Sequence, residues 1–225
     1  MKYSTIAIKL NRHHIFLFLT YAFLTLCLEF KRGEEEVHMK TYTVQIAGFT
    51  RHLPIVQIEE NLSIASFDLL GDVELVEVAA QKLAEKLPHV DVLITAEAKG
   101  IPLVYELSKK LQLPRYVVAR KQIKSYMNQP MIHEVNSITT STPQILAIGY
   151  EDAAFLNYKR VAIVDDVISS GSSLEALEAL VQKAGGEIVA KACILVEGDS
   201  IGRCDVIHLD KLPLFTNHIP NPSHT

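Results

Sequence analysis

The chain has 225 residues, 48% of them apolar and 21% charged, with a formal net charge of -4 and a pI of about 6.1. That is enough apolar material for one good-sized domain with a small accessory element, and the lack of a global basic field excludes a protein whose main work is gripping nucleic acid. Cys27, Cys193 and Cys204 share no C-x-x-C spacing and the histidines form no H-E-x-x-H, so neither a zinc site nor a disulfide framework is indicated, and free thiols fit a reducing cytoplasm.

Residues 1–38 differ from the rest. I-F-L-F-L-T-Y-A-F-L-T-L-C-L, from Ile15 to Leu28, carries no charge and follows Lys2, Lys9 and Arg12. Three readings stand side by side: a signal-like segment, a membrane anchor that is short for the roughly 20 residues a span needs, and a translated upstream leader. The last rests on Glu34-Glu35-Glu36-Val37-His38, which a purine-rich ribosome-binding sequence and its spacer would encode, and makes Met39 a candidate start. A membrane is a partner only if this segment is retained.

From Thr41 the pattern turns globular. Tyr42–Ile46 and Leu53–Ile58 read as two strands with a turn at Gly48–His52, and Asp72–Leu87 as an amphipathic helix with Asp72 as its N-cap. A rhythm follows: strands at Val90–Ala96, Tyr116–Ala119, Val161–Val164 and Ile188–Val196, helices at Ile101–Leu113 and Leu174–Ala184. Strands apolar on both faces, alternating with helices, predict an α/β fold with a mostly parallel, twisted sheet flanked by helices, beside a small N-terminal unit over residues 41–70. Ligands of such sheets bind at the carboxyl ends of the strands. Lys121–Pro143 shows no pattern and reads as a lid loop, and 216–225 as a disordered tail.

The chemistry concentrates at V-A-I-V-D-D-V-I-S-S-G-S-S, Val161 to Ser173. Adjacent carboxylates on a continuing strand project to opposite sides, so Asp165 and Asp166 are not a facing acid/base pair; they suit a vicinal diol or the water shell of Mg²⁺. Ser169, Ser170, Gly171, Ser172 and Ser173 open a helix, where free amides, the helix dipole and hydroxyls cradle a phosphate monoester. The segment is neither G-x-x-x-x-G-K-[ST] nor G-x-G-x-x-G. A diol clamp beside a phosphate cradle points to a sugar phosphate.

This stretch resembles the ribose-phosphate-binding signature of the type I phosphoribosyltransferases, which join a base to 5-phosphoribosyl-1-pyrophosphate (PRPP). The similarity runs from about Thr41 to Phe215 and is closest to the adenine and xanthine branch. It implies a phosphoribosyltransferase domain over 39–215 whose N-terminal unit is a hood over the base and whose core, 72–210, binds PRPP. Glu97, Ala98, Lys99 and Gly100 fall where the family has its pyrophosphate loop. Arg120 and Lys121 resemble cations that reach pyrophosphate, Ser137 and Thr139 lie in the lid, and Phe67 in Ile64–Asp68 is the candidate to stack on a purine or to pack in the core. The resemblance further implies Mg²⁺ as cofactor, PRPP and a purine base as substrates, a cytoplasmic homodimer, and purine salvage with adenine favoured.

Two departures accompany it. Ser172 stands where many relatives have a second glycine, and the lid lacks the glutamate that adenine enzymes tend to carry near the serine, with Glu134 no clear substitute. The competing expectations are therefore a xanthine/guanine-type enzyme and a PRPP-sensing regulator without catalysis.

Overall fold

A computed structural model describes residues 40–135 and 144–216; the expectations for residues 1–38, for Ser137 and Thr139, and for the tail beyond Thr216 lie outside these. The alternation at Tyr42–Ile46 forms β1 (Thr41–Ile46), with Val44 and Ile46 turned into the core. The turn is tighter than expected. Ala47 and Gly48 take positive φ of 51 and 95°, and β2 (Phe49–Glu59) begins at once, antiparallel to β1 from Ile46↔Phe49 to Thr41↔Pro54. A two-residue loop with both φ positive matches strand twist, so no longer turn is required.

β3 (Leu62–Ala65) returns along β2, and β11 (Leu214–Thr216) adds to its other edge. The hood is thus one four-stranded antiparallel sheet in the order β1-β2-β3-β11, not residues 41–70 alone, and Thr216 belongs to a strand rather than to a tail. Tyr42 and Phe215 meet edge to face across it, 5.7 Å between centroids.

The second sheet is the predicted parallel one. It joins β4 (Val92–Ala96), β5 (Val117–Ala119), β8 (Arg160–Ile168), β9 (Glu187–Glu197) and β10 (Ile207–Leu212) in the order β10-β9-β8-β4-β5, every pairing parallel. Every residue of β4 is buried, which requires cover on both faces. Leu93 packs in one cluster with α1 (Val73–Ala84) and α2 (Ile101–Lys110), while Val92, Ile94 and Ala96 pack in the other with α3 (Tyr150–Leu156) and α4 (Ser172–Lys183). No helix among the described residues is long and apolar enough to cross a membrane.

The stretch Lys121–Pro143 is not patternless throughout. β6 (Met131–Val135) pairs antiparallel with β7 (Gln144–Ile148), from Met131↔Ile148 to Val135↔Gln144. β6 is half-buried without alternation, so its strand character comes from its partner rather than from its own pattern.

Hood and core are clamped at Asp72. Its carboxylate accepts the amide of Leu75 at 3.1 Å as the N-cap of α1, and takes Arg51 of β2 in bidentate fashion, 2.7 Å from Nε and 3.0 Å from Nη2. Nη2 also reaches Glu74 at 3.0 Å. The Arg51 bond holds the Asp72 carboxyl below its usual value, so this contribution is full above the unfolded carboxylate range and fades as pH falls. Asp72→Ala is expected to cost about 2 kcal/mol, cap and ion pair together, in urea unfolding at pH 7. Arg51→Met, which keeps the cap, should cost about half as much.

Candidate active site

β8 does not end before the acidic pair but contains both residues, pairs Asp165 with Cys193 of β9 and runs on to Ile168. Asp165 is half-buried and its Oδ1 accepts the amide of Asp166 at 2.9 Å; Asp166 is 7% exposed. Burial, and then the neighbouring Asp166, push the Asp165 carboxyl well above its ordinary value, and burial also raises Asp166. Two cations pull the other way: Lys121 acts on Asp165 and Lys99 on Asp166. Positive charge or hydroxyl donors brought near the pair would favour its ionised form. Cys193, level with Asp165 on β9, has its thiol pushed up to about 12 by burial and offers no nucleophile.

After β8 the chain enters the serine-rich loop. Gly171 has φ +87°, the left-handed region, and has no side chain with which to cap α4; Ser172 N donates to Ser170 Oγ at 3.4 Å, and the amides of Ser173 and Leu174 are the ones left for an anion. Ser172 is the first residue of α4 and has no positive φ, so a serine in place of a second glycine is accommodated without strain. Its hydroxyl lies 3.0 Å from that of Ser170, and Ser170 N donates to Ser169 Oγ at 2.7 Å.

The loop Glu97–Gly100 leaves β4 and opens α2, with the Glu97–Ala98 peptide cis. Gly100 has φ -71°, which any residue adopts; what demands glycine is space. A Cβ there would run into Thr95 Oγ1 and stand 3.0 Å from Asp165 Oδ1. Glu97 gathers the basic pair, lying 3.4 Å from Arg120 Nη2 and accepting the amide of Lys121 at 3.1 Å. Lys99 crosses to the hood, donating to the Phe67 carbonyl at 2.8 Å with Asp68 3.8 Å away. Five of the six segments singled out from sequence therefore converge on one region at the carboxyl end of the sheet, and the sixth, the lid with Ser137 and Thr139, lies outside the described residues.

Beneath the hood lies a cavity of about 240 Å³, walled by Ser66, Phe67, Lys99, Asp166, Val167 and Glu197 among others. It is smaller than the roughly 300 Å³ at which drug-sized sites begin, so only a small ligand group would be enclosed in it. Phe67 is 6% exposed and serves both the core and this wall. Two residues of this region escaped sequence reasoning. Glu197, the last residue of β9, is 7% exposed, and burial alone raises its carboxyl. An acid closing the apolar run A-C-I-L-V-E repeats the signal of V-A-I-V-D-D and was there to be read. Arg203 lies over the serine loop, its Nη1 3.2 Å from where a Cβ on Gly171 would stand, and has no local sequence signal.

Residues 71–215 match the family described as phosphoribosyl transferase domain. The chain is 31% identical over 142 residues to a hypoxanthine/guanine phosphoribosyltransferase of Methanococcus voltae, covering 63% of this chain and 69% of that protein. It is 36% identical over 124 residues to the protein of the same name from Methanotorris igneus, covering 55% and 63%. Several such relatives are spanned by this chain for only about half their length, as with the 52% of the Methanocaldococcus sp. protein. Among solved structures, the adenine phosphoribosyltransferase of Thermoanaerobacter pseudethanolicus superposes with a TM-score of 0.59 at 22% identity, over 71% of this chain and 95% of that one. That of Rhodothermus marinus gives 0.53 at 22%, over 76% and 94%. These two likenesses are likenesses of fold.

Proposed function

The chain belongs to the type I phosphoribosyltransferase family, and on that premise we propose that it transfers 5-phosphoribose from PRPP to a purine base, adenine favoured, releasing pyrophosphate. The observation that carries this reading is the position of Asp166. It stands in β8 next to the serine-rich loop in sequence and walls the cavity beneath the hood at the same time. A ribose whose diol rests on Asp165 and Asp166 then has its 5-phosphate toward Ser169–Ser173 and its C1 toward the base.

In the reaction the bond from C1 to the pyrophosphate oxygen breaks, a bond from C1 to a ring nitrogen of the base forms, and the proton of that nitrogen passes to the released pyrophosphate. The protein's part is positioning and charge stabilisation. Asp165 and Asp166 hold the ribose hydroxyls, the amides around Gly100 face the leaving pyrophosphate, and Phe67 lies against the base. Lys121, whose charge is felt at Asp165, favours the departing anion. Among the described residues no cluster of three or more acids, histidines or cysteines forms a metal cage. Asp165 and Asp166 are the oxygen donors that would hold Mg²⁺, which would supply charge neutralisation for the pyrophosphate.

Adenine is favoured by Glu197. In its ionised form this carboxylate accepts a hydrogen bond from a 6-amino group and repels a 6-oxo group, although burial, which raises the carboxyl, works against that form. The second reading, an oxopurine turning its N1–H edge to Glu197, is favoured by the names of the sequence relatives. Pyrophosphate release with Mg²⁺, PRPP and each of adenine, hypoxanthine, guanine and xanthine separates them. Adenine should turn over fastest, and Glu197→Gln should lower its kcat/KM by about 10-fold or more, the loss of a charge-assisted bond. Release only with hypoxanthine or guanine would replace adenine by the second reading.

A further inference from the structure

We propose that Arg203 is a binding residue for the ribose 5-phosphate, supplying the cation that the serine-rich loop itself lacks. The inference rests on the phosphoribosyl reading of the site. Ser169–Ser173 offers only amides and hydroxyls. A phosphate monoester carries nearly two negative charges at neutral pH, and a guanidinium binds it more strongly than neutral donors do.

Arg203 is aimed for that task. Nε and Nη2 are both committed to the Asp205 carboxylate, at 2.9 and 2.7 Å. Asp205 is braced from behind by Lys191 at 2.9 Å, and Lys191 by Glu178 of α4 at 2.7 Å. The guanidinium plane is thereby set, and the remaining nitrogen, Nη1, stands over Gly171 with no hydrogen-bond partner among the described residues. The segment that carries it is tied to the same loop, because Ser200 Oγ donates to the carbonyl of Ser169 at 2.5 Å. Glycine at 171 serves two ends: it takes the left-handed φ of +87°, and it leaves the guanidinium room to approach the loop.

Titration calorimetry with ribose 5-phosphate and, separately, with Mg²⁺-pyrophosphate tests this. Arg203→Gln should weaken ribose 5-phosphate by about 10- to 100-fold, as expected for one charge-assisted bond, and leave pyrophosphate within about 2-fold. Arg203→Lys, which keeps the charge without the fork, should lose about 5-fold and carries the test alone if Arg203→Gln does not fold. Unchanged ribose 5-phosphate affinity in either variant would overturn the proposal, as would an equal loss for both ligands, which marks a purely structural role. Wild-type protein that binds neither ribose 5-phosphate nor PRPP would instead overturn the functional reading on which it rests.

Discussion

Asp165→Asn combined with Asp166→Asn is expected to lower kcat/KM for PRPP by about 100- to 10,000-fold and, at the same time, to raise the melting temperature of the ligand-free protein. The first effect follows from losing two hydrogen bonds to charged acceptors, each worth about 1.5–3 kcal/mol, in a transition state that gathers positive charge on the sugar. The second follows from the environment of the pair. Burial lifts both carboxyls above their ordinary values in the folded protein. A carboxyl raised on folding stabilises the fold fully below its unfolded value, near 3.8 here, and that stability is lost as pH rises toward the folded value. At pH 7.5 the two raised carboxyls therefore stabilise the fold less than they do near pH 4, a loss the neutral amides avoid while still accepting the amide of residue 166. Calorimetry should show the variant more stable at pH 7.5 and the gain vanishing near pH 4. A variant less stable than wild type at pH 7.5 would contradict the burial account, and one with intact kcat/KM would contradict the ribose-binding role.

Gly100→Ala carries the second large effect. Alanine tolerates the φ of -71°, so the backbone is not strained, and the whole penalty comes from the clash of the new methyl with Thr95 and its 3.0 Å approach to Asp165. Overpacking of this kind costs about 1–3 kcal/mol, and a displacement near 1 Å at a reacting group costs about 100-fold in rate. The single variant should lose both stability and turnover. Thr95→Ala removes the nearest obstacle, so the double variant should regain most of the stability, a non-additive result expected of residues in contact. Activity should return only in part, because the approach to Asp165 persists. Wild-type activity in Gly100→Ala would show that the close approach of this loop to the acidic pair has no role.

What was legible in the sequence was what is local. Asp165-Asp166 and the serine-rich loop are contiguous, so strand, acids and helix start could be read together, and Asp72 announced the N-cap of α1 by its position alone. What was not legible depends on distant partners. β11 belongs to the hood only because Leu214, Phe215 and Thr216 meet Ile64, Ser63 and Leu62, some 150 residues away in the chain. β6 gains its strand character from β7, and α3 is a single short run of seven residues with no side-chain cap. Arg203 reaches Gly171 through a carboxylate, a lysine and a glutamate drawn from different elements, a geometry that no window of sequence displays. In sequence Arg120 and Lys121 read as a strand-end pair of cations, and Glu97, which gathers both, joins that strand end and the Glu97–Gly100 loop into one unit.

The central claim, that the carboxyl end of β8 is a PRPP site, is tested most directly by titrating the protein with PRPP in a calorimeter, with and without Mg²⁺. The account predicts saturable binding of one PRPP per chain that strengthens with Mg²⁺ and disappears in the Asp165→Asn, Asp166→Asn variant. Failure of the wild type to bind PRPP, or binding that survives loss of both carboxylates, would contradict it.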